Sequence, residues 1–221
     1  VKFLTPDQVK EIWPLCNTSD LVGAIQHPED GYIQPADLTQ ALATGARNRG
    51  AEIYRNTNVV GIKQTKNGWV VETDKGSIEC EHVMSCSGNF ARQTGKMVGL
   101  EIPVIPVEHQ YIVTEPHPEI QKRKKEGLPE MGVLRDSDSR WYMREEAGGL
   151  ILGPYEDGAP CCYVDGPSKD SEYELFQEDL DRLAPHIEGA IHRVPAFGEV
   201  GVKKVYNGAI CYTPDGNPIV G

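Results

Sequence analysis

Two side chains in this sequence of 221 residues have the type and the setting to work on a small polar molecule, His109 and Tyr142. Each sits in a run dense with aromatic and polar groups, His109-Gln110-Tyr111 and Arg140-Trp141-Tyr142-Met143-Arg144. An imidazole changes charge near neutral pH, and a phenol both donates and accepts a hydrogen bond, so the pair could orient a substrate and move a proton. Placed mid-strand, such residues floor a pocket on an antiparallel sheet. The same pattern also fits a Tyr142 that snorkels at a sheet edge and a His109 that is a satisfied core imidazole.

A further candidate is Ser85-Cys86-Ser87-Gly88. Nothing in the neighbouring sequence activates the Cys86 thiol, so packing or backbone contact is its expected role. Small residues at a strand end, Gly88 above all, let a backbone approach a ligand closely. The chain has no G-x-S-x-G elbow, no H-E-x-x-H and no phosphate-binding G-x-x-x-x-G-K-[ST] loop. His27, His117, His186 and His192 stand alone and read as surface or core residues.

The elements that must position these residues fall into two stretches. In the first, Pro35 opens a helix in which Leu38, Ala41, Leu42, Gly45 and Ala46 recur at helical spacing, stopped by Gly50. A short strand is predicted at Glu52-Ile53-Tyr54. A meander follows over Val59–Lys66, Trp69–Asp74 and Ser77–Glu79, with Asn67-Gly68 and Asp74-Lys75-Gly76 as turns. His82-Val83-Met84-Ser85-Cys86 then reads as a buried strand. This order is a recurring nucleotide-binding layout.

The second stretch starts near Val104, where Val107, His109, Tyr111 and Val113 alternate with Glu108, Gln110 and Ile112 as on a two-faced strand. Strands are predicted at Arg140–Arg144 and Leu150–Leu152, on either side of the turn Ala147-Gly148-Gly149. A Gly/Pro/Cys-rich loop follows between Pro154 and Pro167. Ser171 with Glu174 forms the signature of a capping box for a helix carrying Leu175, Phe176, Leu180 and Leu183. The final strand, Val202–Tyr206, is followed by Asn207-Gly208 and an extension at Ile210–Tyr212.

Composition narrows the classes. The net charge of −11 argues against nucleic acid or an anionic membrane as the main partner. The basic run Lys122-Arg123-Lys124-Lys125 lies among Glu119, Glu126 and Glu130, which makes it a solvated surface segment. No apolar stretch reaches membrane-spanning length, and there is no secretory signal pattern. The six cysteines contain no C-x-x-C pair and are spaced irregularly, so they read as reduced thiols, mostly packing. Asn17-Thr18-Ser19 reads as a helix start or turn. Without an initial Met, and ending on Pro218-Ile219-Val220-Gly221, the chain is expected to be a piece of a longer protein.

Several stretches, in order and at compatible spacing, carry a family resemblance: Cys86-Ser87-Gly88-Asn89-Phe90-Ala91-Arg92, Gly95-Lys96-Met97-Val98-Gly99-Leu100, Ile105-Pro106-Val107-Glu108-His109-Gln110-Tyr111, Leu134-Arg135-Asp136, Gly153-Pro154-Tyr155-Glu156 and Tyr212-Thr213-Pro214-Asp215. From about Asp30 to Gly221 the chain resembles the dimethylglycine and sarcosine dehydrogenase family, within the glycine/D-amino-acid oxidase superfamily. The resemblance implies a mixed α+β and α/β fold, an FAD-binding dinucleotide fold into which an antiparallel-sheet substrate domain is inserted. The implied boundaries are residues 1–103 for a partial FAD-binding domain, 104–205 for the substrate domain and 206–221 for a return to the first.

The implied reaction is oxidative demethylation of a small N-methyl amino acid, dimethylglycine or sarcosine, with hydride passing to FAD. The iminium product is then captured by tetrahydrofolate in a domain outside this chain or hydrolysed to formaldehyde. Carried over by position, Tyr142 would hydrogen-bond the substrate amine or carboxylate and relay a proton, and His109 would orient the substrate and set its protonation. Val59 would contact the adenine side of FAD by its backbone, and Cys86, Ser87 and Gly88 would line the dinucleotide. The family often has Ala-Ala-Gly or Ala-Gly-Gly at positions 86–88 and Trp at position 90, where this chain has Phe90.

No G-x-G-x-x-G follows a first strand, so the pyrophosphate site is expected upstream of this chain, as is the family's flavin-linking histidine. The segment that closes over the flavin ring is expected downstream. The implied partners are a methylated amine and an electron-transfer acceptor, with no nucleic acid and no membrane; no metal is expected. The implied location is the cytoplasm, or the mitochondrial matrix in a eukaryote. Two other readings stand beside this one: an FAD oxidase of another amine or hydroxy acid, and a non-catalytic binding module that keeps the fold.

Overall fold

Alternation of buried and half-exposed residues along two strands, beside a third that is buried throughout, decides where this chain puts its core. The computed structural model describes residues 1–221. In chain order the elements are β1 (Lys2–Leu4), α1 (Pro6–Ile12), β2 (Ala24–Gln26), α2 (Pro35–Arg47), β3 (Val59–Thr65), β4 (Gly68–Thr73), β5 (Gly76–Cys80), α3 (Ala91–Lys96), β6 (Ile105–Thr114), α4 (Pro118–Lys125), β7 (Leu134–Asp136), β8 (Trp141–Glu146), β9 (Gly149–Pro154), α5 (Leu180–Arg193) and β10 (Val202–Tyr212). They divide into two compact units. One comprises Val1–Tyr32, Glu108–Pro160 and Tyr173–Ala209; the other comprises Ile33–Val107, Cys161–Glu172 and Ile210–Gly221.

The first unit holds a five-stranded sheet in the order β10-β6-β9-β8-β7. One face of that sheet is apolar. Ile112, Trp141, Met143, Leu150 and Leu152 are buried there with Leu183, Ala190, Val194 and Phe197 of α5 and the turn after it, and with Val9 and Trp13 of α1. Trp13 also donates its indole N–H to the Gly132 carbonyl at 2.7 Å. α1 starts with a full capping box, in which the Thr5 hydroxyl accepts from the Gln8 backbone N–H and the Gln8 side chain accepts from the Thr5 N–H. The β8–β9 hairpin pairs Glu146 with Gly149, so Ala147 and Gly148 make a two-residue turn. The basic run lies on α4, whose buried residue is Ile120.

The second unit contains the expected meander, β3-β4-β5, antiparallel throughout. Thr65 faces Gly68 and Thr73 faces Gly76, so both turns fall where the Gly signals put them. α2 begins at Pro35 as expected, but none of its residues is buried. Its stripe faces solvent, with Leu38 and Leu42 exposed alongside Ile53, Tyr54, Val83 and Met84.

The structure departs from three expectations about local elements. His82–Cys86 pairs with no strand and is exposed, because a run of apolar residues becomes a buried strand only beside a ladder partner. Glu52–Tyr54 forms no strand either. The helix expected from Ser171 begins instead at Leu180, with the Asp179 carboxylate accepting from the Arg182 N–H at 3.1 Å. Residues before it are held extended, the Phe176 N–H donating to the Asn207 carbonyl at 2.8 Å. β10 runs on through Asn207-Gly208 into the expected extension at Ile210–Tyr212, and the buried Asn207 amide donates to Glu108 and to the Gln177 carbonyl. The sequence division also differs from the observed grouping, since residues 1–32 pack in the unit that contains the five-stranded sheet.

Candidate functional site

Opposed residues in an antiparallel ladder point to the same face, and residues two apart along a strand share it. Arg135 of β7 is paired with Tyr142 of β8, and Tyr142 with Gly153 of β9. β6 pairs Ile112 with Leu152, which sets Tyr111 beside Gly153 on the next rung. His109, two residues back on β6, therefore lies on the same face as Tyr142. The other face is the core. One sheet thus carries an apolar side that folds the unit and a polar, aromatic side that is half-buried.

The polar side is built from tyrosines and cations. Tyr111 stacks on Tyr206 with centroids 4.8 Å apart and planes 19° apart. Tyr142 meets Tyr155 at 5.9 Å in a tilted arrangement. Arg144 lies over the Tyr32 ring at 4.3 Å and is ion-paired to Glu146. The Arg135 guanidinium lies 5.3 Å from the Tyr155 centroid and donates to the Tyr155 hydroxyl. Lys204 Nζ sits 4.4 Å over Tyr206. Rings that hold a cation over their faces give a preorganised surface for a small zwitterion.

Gly153 is what lets the tyrosines lie this way. A Cβ there would fall well under 3.0 Å from Cζ, Cε1 and the hydroxyl of Tyr142. The Tyr142 ring therefore lies across β9 in the space that any other residue at 153 would fill.

His109 is set up to be neutral. Burial pushes its imidazole below the usual histidine range, and the nearby Glu156 carboxylate only partly offsets this. Burial, then the Tyr206 ring, raises the Tyr111 phenol, which stays protonated at neutral pH. Behind this face an ionic network fixes the strands. Arg182 donates from Nε to Glu156 at 2.7 Å and from Nη1 to Glu108 at 2.8 Å. Gln110 donates to Glu156 at 3.3 Å and accepts from the Asp179 N–H at 2.8 Å. Hydrogen bonds from Asn207 and then Arg182 hold the Glu108 carboxyl below its usual range.

The remaining sequence-derived positions lie in the other unit. Val59 opens β3, 42% exposed, at a register irregularity between Val59 and Gly61. Cys86 is exposed, so the packing role expected for it does not hold; Ser87 is half-buried, and the Ser85 and Ser87 hydroxyls are 2.8 Å apart. Gly88 has φ of +53°, with nothing within 4 Å of where a Cβ would stand. That open, left-handed backbone is the feature of this stretch that fits a bound nucleotide, since it can be approached closely. None of the six cysteines is in a disulfide, and only Cys16 is buried. No group of His, Cys, Asp and Glu is arranged to hold a metal ion.

Residues 1–221 match the family model described as FAD dependent oxidoreductase (DAO) over the whole chain. The chain belongs to that family. Rat mitochondrial dimethylglycine dehydrogenase (Rattus norvegicus) is 39% identical over 99% of this chain and 26% of its own length. Mouse mitochondrial sarcosine dehydrogenase (Mus musculus) is 34% identical over 99% of this chain and 23% of its own length. The chain therefore spans about a quarter of these relatives. Among solved structures, L-proline dehydrogenase from P. horikoshii matches 100% of this chain and 55% of that one, with a TM-score of 0.81 and 27% identity. The mixed α+β fold is thus that of the FAD-dependent dehydrogenases and oxidases, as the resemblance implied.

Sequence reasoning named His109 and Tyr142 but passed over Arg135, Tyr155, Tyr111 and Gly153. The signal was present, because Tyr111 follows His109 by two residues on an alternating strand. Arg135 and Tyr155 became visible only through the β7–β8–β9 register.

Proposed function

We propose that the full-length protein containing this chain oxidises a small N-methyl amino acid, dimethylglycine or sarcosine, and that this chain supplies the substrate-facing sheet. The observation that carries the reading is a neutral, half-buried His109 on the same sheet face as Tyr142, among tyrosines and arginines. FAD, when bound, supplies the two-electron acceptor for the hydride leaving the carbon next to nitrogen. Val59, Cys86, Ser87 and Gly88 are the residues of this chain that would line it. The rest is the work of side chains. An ammonium cannot release hydride until it has lost a proton, and a neutral imidazole at His109 is able to accept that proton. The Tyr142 hydroxyl holds the amine or carboxylate in line and can pass the proton on.

The reading of the chain as one part of a larger enzyme is supported by the apolar side chains of α2 and residues 83–84 that face solvent. Tetrahydrofolate, an electron acceptor, and a mitochondrial matrix location in a eukaryote belong to the whole protein and follow the same reading. No helix is long and apolar enough to cross a membrane. The test is anaerobic flavin reduction by the full-length protein over a panel of methylated amines. Dimethylglycine or sarcosine should reduce the flavin, and Tyr142→Phe or His109→Ala should abolish that reduction. Normal reduction in both variants would refute the site.

A further inference from the structure

We infer that Arg135 is the residue that binds the carboxylate of the substrate, with Tyr155 as the group that positions it. The inference deepens the amine-oxidation reading and rests on it. Three cations reach the polar face of the sheet. Arg144 is already neutralised by Glu146. Lys204 stands over Tyr206 on β10, at the edge of the sheet opposite β7. Arg135 alone is directly opposed to Tyr142 in the ladder, and it makes no ion pair with any carboxylate of the chain.

Its geometry is that of a prepared anion site. The Tyr155 hydroxyl takes one Nη2 hydrogen bond and the Tyr155 ring lies beneath the guanidinium, so its direction is set before any ligand arrives. The other N–H donors of the planar fork remain exposed, which suits a carboxylate accepting two parallel bonds. Tyr155 in turn contacts Tyr142. A small amino acid is only a few bonds long, so a carboxylate on Arg135 would keep its nitrogen on the part of the face that Tyr155 and Tyr142 form.

The experiment uses the FAD-loaded full-length protein, with dimethylglycine and with N,N-dimethylethanolamine, the same amine without the carboxylate. Acetate serves as the anion probe, followed both as a competitive inhibitor and by calorimetry. Arg135→Gln should raise KM for dimethylglycine on the order of ten- to a hundredfold, the worth of a hydrogen bond to a charged group. It should change kcat less, narrow the preference for dimethylglycine over N,N-dimethylethanolamine, and abolish acetate binding. Arg135→Lys should restore part of the acetate affinity.

Unchanged acetate affinity and unchanged preference for dimethylglycine in Arg135→Gln would overturn the inference. So would loss of acetate inhibition in Lys204→Gln with retention in Arg135→Gln. If the wild type oxidises no methylated amino acid, the proposed function fails on its own. Acetate calorimetry on wild type and Arg135→Gln then still decides whether Arg135 is an anion site.

Discussion

Replacing Gly153 by alanine should cripple the site from beneath while leaving the fold in place. Ordinary contact begins near 3.4 Å, whereas a Cβ at 153 would lie well under 3.0 Å from three atoms of the Tyr142 side chain. The ring must therefore move off β9 by about 1 Å, and what blocks it is a side chain rather than backbone. Overpacking of that size costs about 1–3 kcal/mol of stability. A reacting group misplaced by about 1 Å loses roughly a hundredfold in rate. The assay is stopped-flow anaerobic reduction of flavin by dimethylglycine in the full-length protein, beside thermal unfolding of the same samples. Gly153→Ala should fold, melt somewhat lower and reduce its flavin about a hundredfold more slowly. In a Tyr142→Ala background the same change should leave the unfolding temperature nearly unchanged, because the ring it displaces has gone. Wild-type reduction by Gly153→Ala, or an equal drop in unfolding temperature in both backgrounds, would refute the link between the two residues.

Three further outcomes follow from the same geometry. Because burial holds His109 below an unfolded value of about 6.5, the unfolded chain binds more protons between the folded value and about 6.5. Stability should fall as pH drops through that window, and His109→Gln should flatten the slope in urea unfolding measured at several pH values. Arg182→Ala leaves Glu156 and Glu108 without their cation and should cost roughly 3 kcal/mol in the same experiment. Glu108 is held low, so its contribution is present above the unfolded carboxylate range and is lost as pH falls through the folded value. The chain by itself, titrated with FAD and followed by flavin fluorescence, should bind weakly or not at all, and tight stoichiometric binding would contradict its reading as a partial cradle.

What was legible in the sequence was what local chemistry decides. Pro35 set the start of α2, Gly68 and Gly76 set the meander turns, and the alternation through His109 and Tyr111 set the two faces of β6. What was not legible depended on partners distant in the chain. Ser171 and Glu174 spell a capping box, but the stretch after them is captured as extended backbone by Asn207, so Asp179 caps the helix instead. That β10 continues unbroken through Asn207-Gly208 depends on the burial of Asn207 against Glu108 and Gln177. His82–Cys86 has the apolar run of a strand without a strand to pair with. Within the site, Tyr142 was visible as a residue type, but the glycine beneath it and the arginine opposite it needed the register. The box at Thr5-x-x-Gln8 was a readable signal that went unused.

The two faces of the sheet also govern how this region can change through evolution. Along β6 and β8 the residues that fold the unit and the residues proposed to serve the substrate are interleaved: Gln110 and Ile112 between His109, Tyr111 and Val113, and Trp141 and Met143 around Tyr142. A single inserted or deleted residue within either of these strands would turn tyrosines into the core and Ile112 or Met143 out of it. Lineages can therefore adjust this site by substitution in place, while changes in length are confined to the segments between strands, such as residues 165–172.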